Sequence, residues 1–330
     1  MTFNIASGQD NLDMEISSEV KMLVDSIASE NVLMSSAVGF TAIKPDQYKR
    51  FEKLQEIVTV FELIKLTNHQ NGVVRCYAFW DLASKDTASI FQIVIDHLED
   101  NEVIETQFGC IGGAERVGDF FVNVVTPDRI DNSVYKLTSV QSKTIDSLLL
   151  HSDNKSLYAK YELLSKIEPT ESNYQRIREI AINEKIPQSI VALSKYRKQQ
   201  DIPIIEDLLK DSETEYWGFR CVQYFPDTVF FKYLINWHSK TIDLKTGFNS
   251  PKFRVFYKAL VQYETEQSKQ IMLQSIRDTK RYGKKLHNKY VMIALLKYPN
   301  YYFDEVRLYL KVDRLDLEEI IWDKTEIEMD

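Results

Sequence analysis

Three cysteines, five histidines and one cluster of glycines are the residues of this chain best suited to chemistry. Nucleophilic catalysis needs a thiolate held near a base. Cys76, Cys110 and Cys221 lie far apart and form no CxxC pair. Cys76 and Cys221 each directly follow an arginine, the same slot of a repeated pattern, so both are expected to face the core. Cys110 sits among glycines and is the thiol expected to be exposed, with Arg116 the one nearby base that would lower its pKa. His69, His97, His151, His238 and His287 are scattered, with no HExxH and no His-Glu pair. A metal needs several converging ligands, so neither a metal nor any other cofactor is expected. Gly109, Gly112, Gly113 and Gly118 lack the GxxxxGK[ST] order of a phosphate loop. Such a loop cradles phosphate on amides at a helix N-terminus, whereas the run after Gly118 reads as a strand, so an ordinary glycine-rich turn is expected.

Charge and aromatic patterning point to binding. From Arg277 to Lys289 there are six basic residues and one acid, and from Asp313 to Asp330 eight acids and two bases. Lys280, Arg281, Lys284 and Lys285 are the candidate phosphate contacts if the partner is a nucleic acid, with Tyr282, Trp217 and Trp237 available to stack on bases. Against that stand a net charge of −8 and the lack of bases at matching positions elsewhere in the chain. A nucleic-acid grip needs several phosphates neutralised along one groove. The aromatic run Tyr216–Trp237 suits a protein interface as well as a core, which makes Trp217 and Trp237 candidate contacts.

The elements that would position these residues are helices. The 330 residues are 44% hydrophobic and 27% charged, with 10 glycines and 8 prolines, a composition that buries a core and disfavours a loop-rich all-β chain. Eighteen tyrosines and 17 phenylalanines supply large rings to fill the space between helix layers. Leu157, Tyr161, Leu164 and Ile167 recur at helical spacing, as do Tyr174, Ile177 and Ala181, and Ile202, Ile205, Leu208 and Leu209. Pro187, Pro203, Pro226 and Pro251 read as helix starts, with Thr170, Ser172, Asp201, Asp227 and Ser250 as candidate N-caps. Residues 101–137 depart from this rule: four glycines lie between β-prone runs at Val103–Phe108 and Phe120–Val125. The segment is predicted to be a β-hairpin or β-containing loop, and Phe108, Arg116 and Asp119 beside its glycines are candidate partner contacts. Whether it binds or only packs is open at this point.

An apolar–Arg step followed by aromatic and aliphatic residues recurs at Val74-Arg75, Phe219-Arg220 and Phe253-Arg254, with Ala159-Lys160 a fourth copy carrying lysine. Asp-bearing turns lead into the helices that follow. The pattern resembles the HEAT repeat superfamily over roughly residues 45–100 and 140–310. It departs from the family in its irregular spacing and at Tyr290-Val291, where the arginine is missing. The resemblance implies an all-α, HEAT-like solenoid of about six helix pairs, with helical repeats over 1–100 and 138–330 and the β-like insertion at 101–137 between them. It also implies that Arg75, Arg220 and Arg254 are structural ladder residues tying neighbouring repeats together. The iron-binding hydroxylases of that superfamily use His-Glu dipeptides, which this chain lacks. The expected function is a non-catalytic protein-binding scaffold, adaptor or inhibitor, an immunity-type inhibitor of a toxin being one instance. Its acidic balance suits a basic partner. The second expectation is a nucleic-acid binder resembling the alkylpurine DNA glycosylases, and the third an enzyme with its site at the glycine-rich loop. The first twenty residues carry no basic or apolar leader pattern, and no apolar run approaches the ~20 residues of a membrane span, so the cytoplasm is the expected location.

Overall fold

The computed structural model describes residues 16–127, 129–242, 250–277 and 281–312, together with 314, 318 and 320. Among these it holds seventeen α-helices and one three-stranded sheet, so the chain is mostly helical. It divides into two compact units, Met1–Lys160 and Tyr161–Asp330. No helix among the described residues is long and apolar enough to cross a membrane.

The first unit opens with α1 (Ser18–Glu30), capped by the Ser17 hydroxyl and stopped at Asn31, whose φ of 56° is left-handed. Strand β1 (Val32–Val38) follows, inside a stretch whose sequence reads as helical repeat. Next come α2 (Asp46–Ile57) and α3 (Val60–Leu66). One carboxylate serves two helix starts here. Glu62 closes a capping box with Thr59 on α3, and its other oxygen accepts from the Ser17 amide at 2.9 Å. Helix α4 (Gly72–Lys85) is the centre of the unit, with eleven of its fourteen residues buried. It packs against α1, α3, β1, β2 and α6. Phe79 stacks on Phe121 with ring centroids 4.0 Å apart, and Tyr77 stacks on Phe51 at 4.5 Å.

After α5 (Ile90–Asp96) the chain forms the hairpin of β2 (Val103–Gly109) and β3 (Ile111–Arg116), then α6 (Val117–Val125) and α7 (Ser139–His151). The first β-prone run is a strand as expected, but its hairpin partner is the glycine stretch Ile111–Arg116 that the sequence reads as a turn, and the second β-prone run is helix. Val117, Phe120, Phe121, Val124 and Val125 are all fully buried, and their spacing of 3, 1, 3 and 1 places them on one helical stripe. Burial of that stripe outweighs the strand preference of Val and Phe. Gly118 belongs to this helix rather than to a turn, and close approach excludes a side chain there, because a Cβ would lie 2.7 Å from the His97 carbonyl oxygen. The unit boundary falls within α8 (Tyr158–Lys166).

The second unit contains α9 (Glu171–Glu179), α10 (Pro187–Ser194), α11 (Ile202–Lys210), α12 (Glu215–Tyr224), α13 (Phe231–Thr241), α14 (Ser250–Leu260), α15 (Glu266–Arg277), α16 (Arg281–Lys297) and α17 (Asp304–Tyr309). Helix α10 packs on α12, α12 on α14 and α14 on α16, while α9 pairs with α10, α11 with α12 and α15 with α16. Phe219, Trp237, Phe253 and Phe256 form an aromatic core, with Trp237 4.7–5.2 Å from the other three ring centres.

Candidate functional site

The sheet has the order β1-β2-β3, with β1 parallel and β3 antiparallel to β2, so β1 and β3 are its two edges. An edge strand turns every second N–H and C=O away from its neighbour, and those groups need partners or water.

The β1 edge is plugged. The Val32 carbonyl accepts from the Gln47 side-chain amide at 3.1 Å. The buried Tyr77 hydroxyl accepts from the Met34 N–H at 2.8 Å and donates to the Met34 carbonyl at 2.9 Å. Val38 exchanges two hydrogen bonds with Ile43. Burial pushes the Tyr77 hydroxyl well above the usual phenol range, so it stays protonated and able to donate. Tyr77→Phe should cost about 1–3 kcal/mol in urea unfolding, since it strands two main-chain groups at once. Unchanged stability would show that water replaces the hydroxyl.

The β3 edge is open. Gly109 has a φ of +59° and Cys110 does not share that sign, the pattern of a type II′ hairpin turn. Opposite residues are Phe108 and Ile111, Thr106 and Gly113, and Ile104 and Glu115. The Val117 N–H donates to the Glu102 carbonyl at 3.0 Å, and hydrogen-bonded pairs alternate along an antiparallel ladder. Residues 111, 113 and 115 therefore bond β2, while Gly112 and Ala114 turn N–H and C=O outward. No described residue bonds those four groups. Residues 111–114 are exposed, Ile111 at 76%. Neither Gly112 nor Gly113 guards the edge with a side chain.

Charges mark the far end of the same strand. Glu115 shares a sheet face with Ile104, its buried β2 partner, while Arg116 lies opposite exposed Val103 and so on the other face. Glu115 accepts from the Asn123 side-chain amide at 2.6 Å and forms no ion pair among the described residues. Burial pushes its carboxyl above the usual range; the Asn123 bond lowers it again in part, and negative Asp119 adds to the rise. Arg116 has no hydrogen-bond or ion-pair partner among the described residues, and its Nε is buried and unbonded.

Of the contact residues expected from sequence, Phe108 and Arg116 are half-buried on this hairpin, Phe108 with its ring 6.1 Å from that of Trp80. Asp119 is not at a surface. It is 4% exposed, and its two oxygens accept from the Tyr158 and Ala159 amides at 2.9 Å, which caps α8. Trp237 is a core ring, 6% exposed, and Trp217 is half-buried against the Arg220 guanidinium. Lys280 lies outside the described residues, and Arg281 opens α16. Lys284 donates to the Arg277 carbonyl at 2.9 Å, and Lys285 lies on the same helix. Arg75 bonds Asp100 and Glu102, while Arg220 lies on α12 and Arg254 on α14. Cys76 and Cys221 are buried, and Cys110 is exposed at the hairpin turn. Among the described residues no group of three or more His, Cys, Asp or Glu side chains is placed to hold a metal ion. Sequence reasoning missed Glu115 and the plug Tyr77, because nothing in the spacing tells which edge of a sheet is covered.

No family model matches this chain, and no curated protein or solved structure matches it either.

Proposed function

We propose that this is a non-catalytic protein-binding scaffold, adaptor or inhibitor, and that its partner adds an extended segment to the outer edge of β3. The observation that carries the reading is the contrast between edges: Val32, Met34 and Val38 on β1 are bonded by Gln47, Tyr77 and Ile43, whereas Gly112 and Ala114 on β3 have no described partner. Proteins normally blunt an edge strand with charges, proline, a bulge or a covering element. Here the first four residues carry none, and main-chain bonding to such an edge is a recurrent mode of peptide recognition. We read the second unit as HEAT-like stacked pairs, because α10, α12, α14 and α16 pack in succession while their partners α9, α11 and α15 lie beside them. Arg220 and Arg254 are then ladder residues of that stack, and Arg75 ties α4 to the hairpin's approach. The cytoplasm remains the proposed location.

The test is Ala114→Pro, which removes an outward N–H and leaves the β2 ladder intact. Tagged wild-type protein should retain a partner from its own cell extract that the variant loses by at least about tenfold, at unchanged melting temperature. Retention of the same proteins by the variant would overturn the edge reading. Loss of a wild-type dimer in the variant, seen by sedimentation, would make a second copy the occupant.

A further inference from the structure

We propose that the segment taken up by β3 carries an acidic residue followed directly by a basic one, the base meeting Glu115 and the acid meeting Arg116. This rests on the edge reading above and names the chemistry of the occupant.

Glu115 and Arg116 are adjacent, so the pleat sends them to opposite faces of the sheet and they do not neutralise each other. Each lacks an ionic partner among the described residues, and each is half-buried. A half-buried carboxylate with one amide donor and a guanidinium with a buried, unbonded Nε are unfavourable as they stand. An added strand answers both, because its residues also alternate between faces. The residue opposite Glu115 lies on the inner face, where a lysine or arginine completes the Asn123–Glu115 hydrogen bond with an ion pair. Its neighbour lies on the outer face, where a carboxylate reaches Arg116.

The pairing also fixes an order. An antiparallel partner meets Arg116 before Glu115 in its own direction of chain, so the acid comes first. Antiparallel pairs are the slightly more stable kind. Further along the same partner, the residue opposite Gly113 faces a position without a side chain, and the residue opposite Ile111 meets an exposed isoleucine. Apolar residues suit both places. A second copy of β3 fits less well: pairing centred on Gly113 sets Glu115 opposite Ile111 and leaves both charges unmatched.

The probes are two synthetic peptides, Thr-Glu-Lys-Thr-Val-Thr-Ile-Thr and its charge-swapped form Thr-Lys-Glu-Thr-Val-Thr-Ile-Thr, titrated into the full chain to millimolar concentration while the amide resonances of β3 are followed. The first should bind roughly tenfold more tightly than the second, as expected for charge-assisted bonds. Glu115→Gln should reduce that preference, and the double change Glu115→Lys with Arg116→Glu should reverse it. Equal affinity for both peptides, still abolished by Ala114→Pro, overturns the charge assignment and leaves the edge reading standing. If neither peptide shifts the β3 amides, both fail.

Discussion

Replacing Arg75 by alanine should destabilise the first unit by roughly 3–5 kcal/mol, the cost of removing one partner from a buried ion network. The Arg75 side chain is 9% exposed and spends four bonds. Nε and Nη2 reach Asp100 at 2.9 and 3.1 Å, Nη2 also reaches Glu102 at 2.6 Å, and Nη1 donates to the His69 carbonyl at 2.7 Å. Asp100 is the acid that suffers, since its side chain is 16% exposed while that of Glu102 is 41% exposed. Burial works against the charged form of Asp100, yet bonds from His97 and Arg75 hold its pKa below the usual carboxylate value. Without the guanidinium that balance reverses. The second oxygen of Glu102 accepts from the Gly72 amide at 2.9 Å, so the start of α4 loosens with it. Arg75→Lys should recover little, because one ammonium cannot reach three acceptors with fixed fork geometry. Urea unfolding followed by circular dichroism measures both variants. An Arg75→Ala loss under about 1 kcal/mol, the range of a surface pair, would show that the network is screened.

The second unit should lose stability steeply in acid, well before most carboxylates titrate. His238 and His287 are 5% and 0% exposed. The His238 Nε2 lies 3.0 Å from the Ser275 hydroxyl, which itself donates to the Ile271 carbonyl at 2.8 Å. The serine oxygen therefore accepts, so His238 carries a proton on Nε2. Tyr257 lies 2.7 Å from the His287 Nδ1, and burial raises the phenol pKa well above its usual value, so the phenol donates and His287 is neutral. Burial pushes both imidazoles down to about 4, and for His287 the nearness of His238 adds to the effect. The folded pKa lies below the unfolded value of about 6.5. The associated stability is thus complete above pH 6.5, falls as the pH drops toward 4, and is gone below that. Two such groups amount to about 7 kcal/mol at most. Trp237 fluorescence in urea at a series of pH values reads the loss. The double variant His238→Gln, His287→Gln should flatten the limb between pH 6.5 and 5. A limb of unchanged slope in that variant would assign the acid sensitivity to carboxylates.

Much of the second unit was legible because proline and caps punctuate it. Pro187 opens α10, Pro203 is the second residue of α11, Pro251 the second of α14, and Asp227 caps the turn before α13 with a 3.0 Å bond to the Val229 amide. The first unit was less legible. The strand VLMSSAV alternates poorly, because two serines occupy its middle, and its parallel partner lies far along the chain. In α6 composition and spacing disagreed: valine and phenylalanine spoke for a strand, while the positions of the buried residues spoke for a helix. Spacing was the better guide, since it reports which side chains must be covered together. Phe108 and Arg116 were singled out by their place beside the glycines, and both lie half-buried on the hairpin. Asp119, from the same neighbourhood, proved to be a helix cap, and that distinction depends on α8, some forty residues later.

The parallel pairing of β1 with β2 also sets a clock for biosynthesis. Val32 faces Glu105, 73 positions later in the chain. A ribosome adding about 5–20 residues per second leaves roughly 4–15 s between the emergence of one strand and the other. Tyr77 emerges within that interval, so its hydroxyl is available to the Met34 main chain before β2 arrives. The nascent chain is then expected to shelter one side of β1 early, while the other side waits for the hairpin.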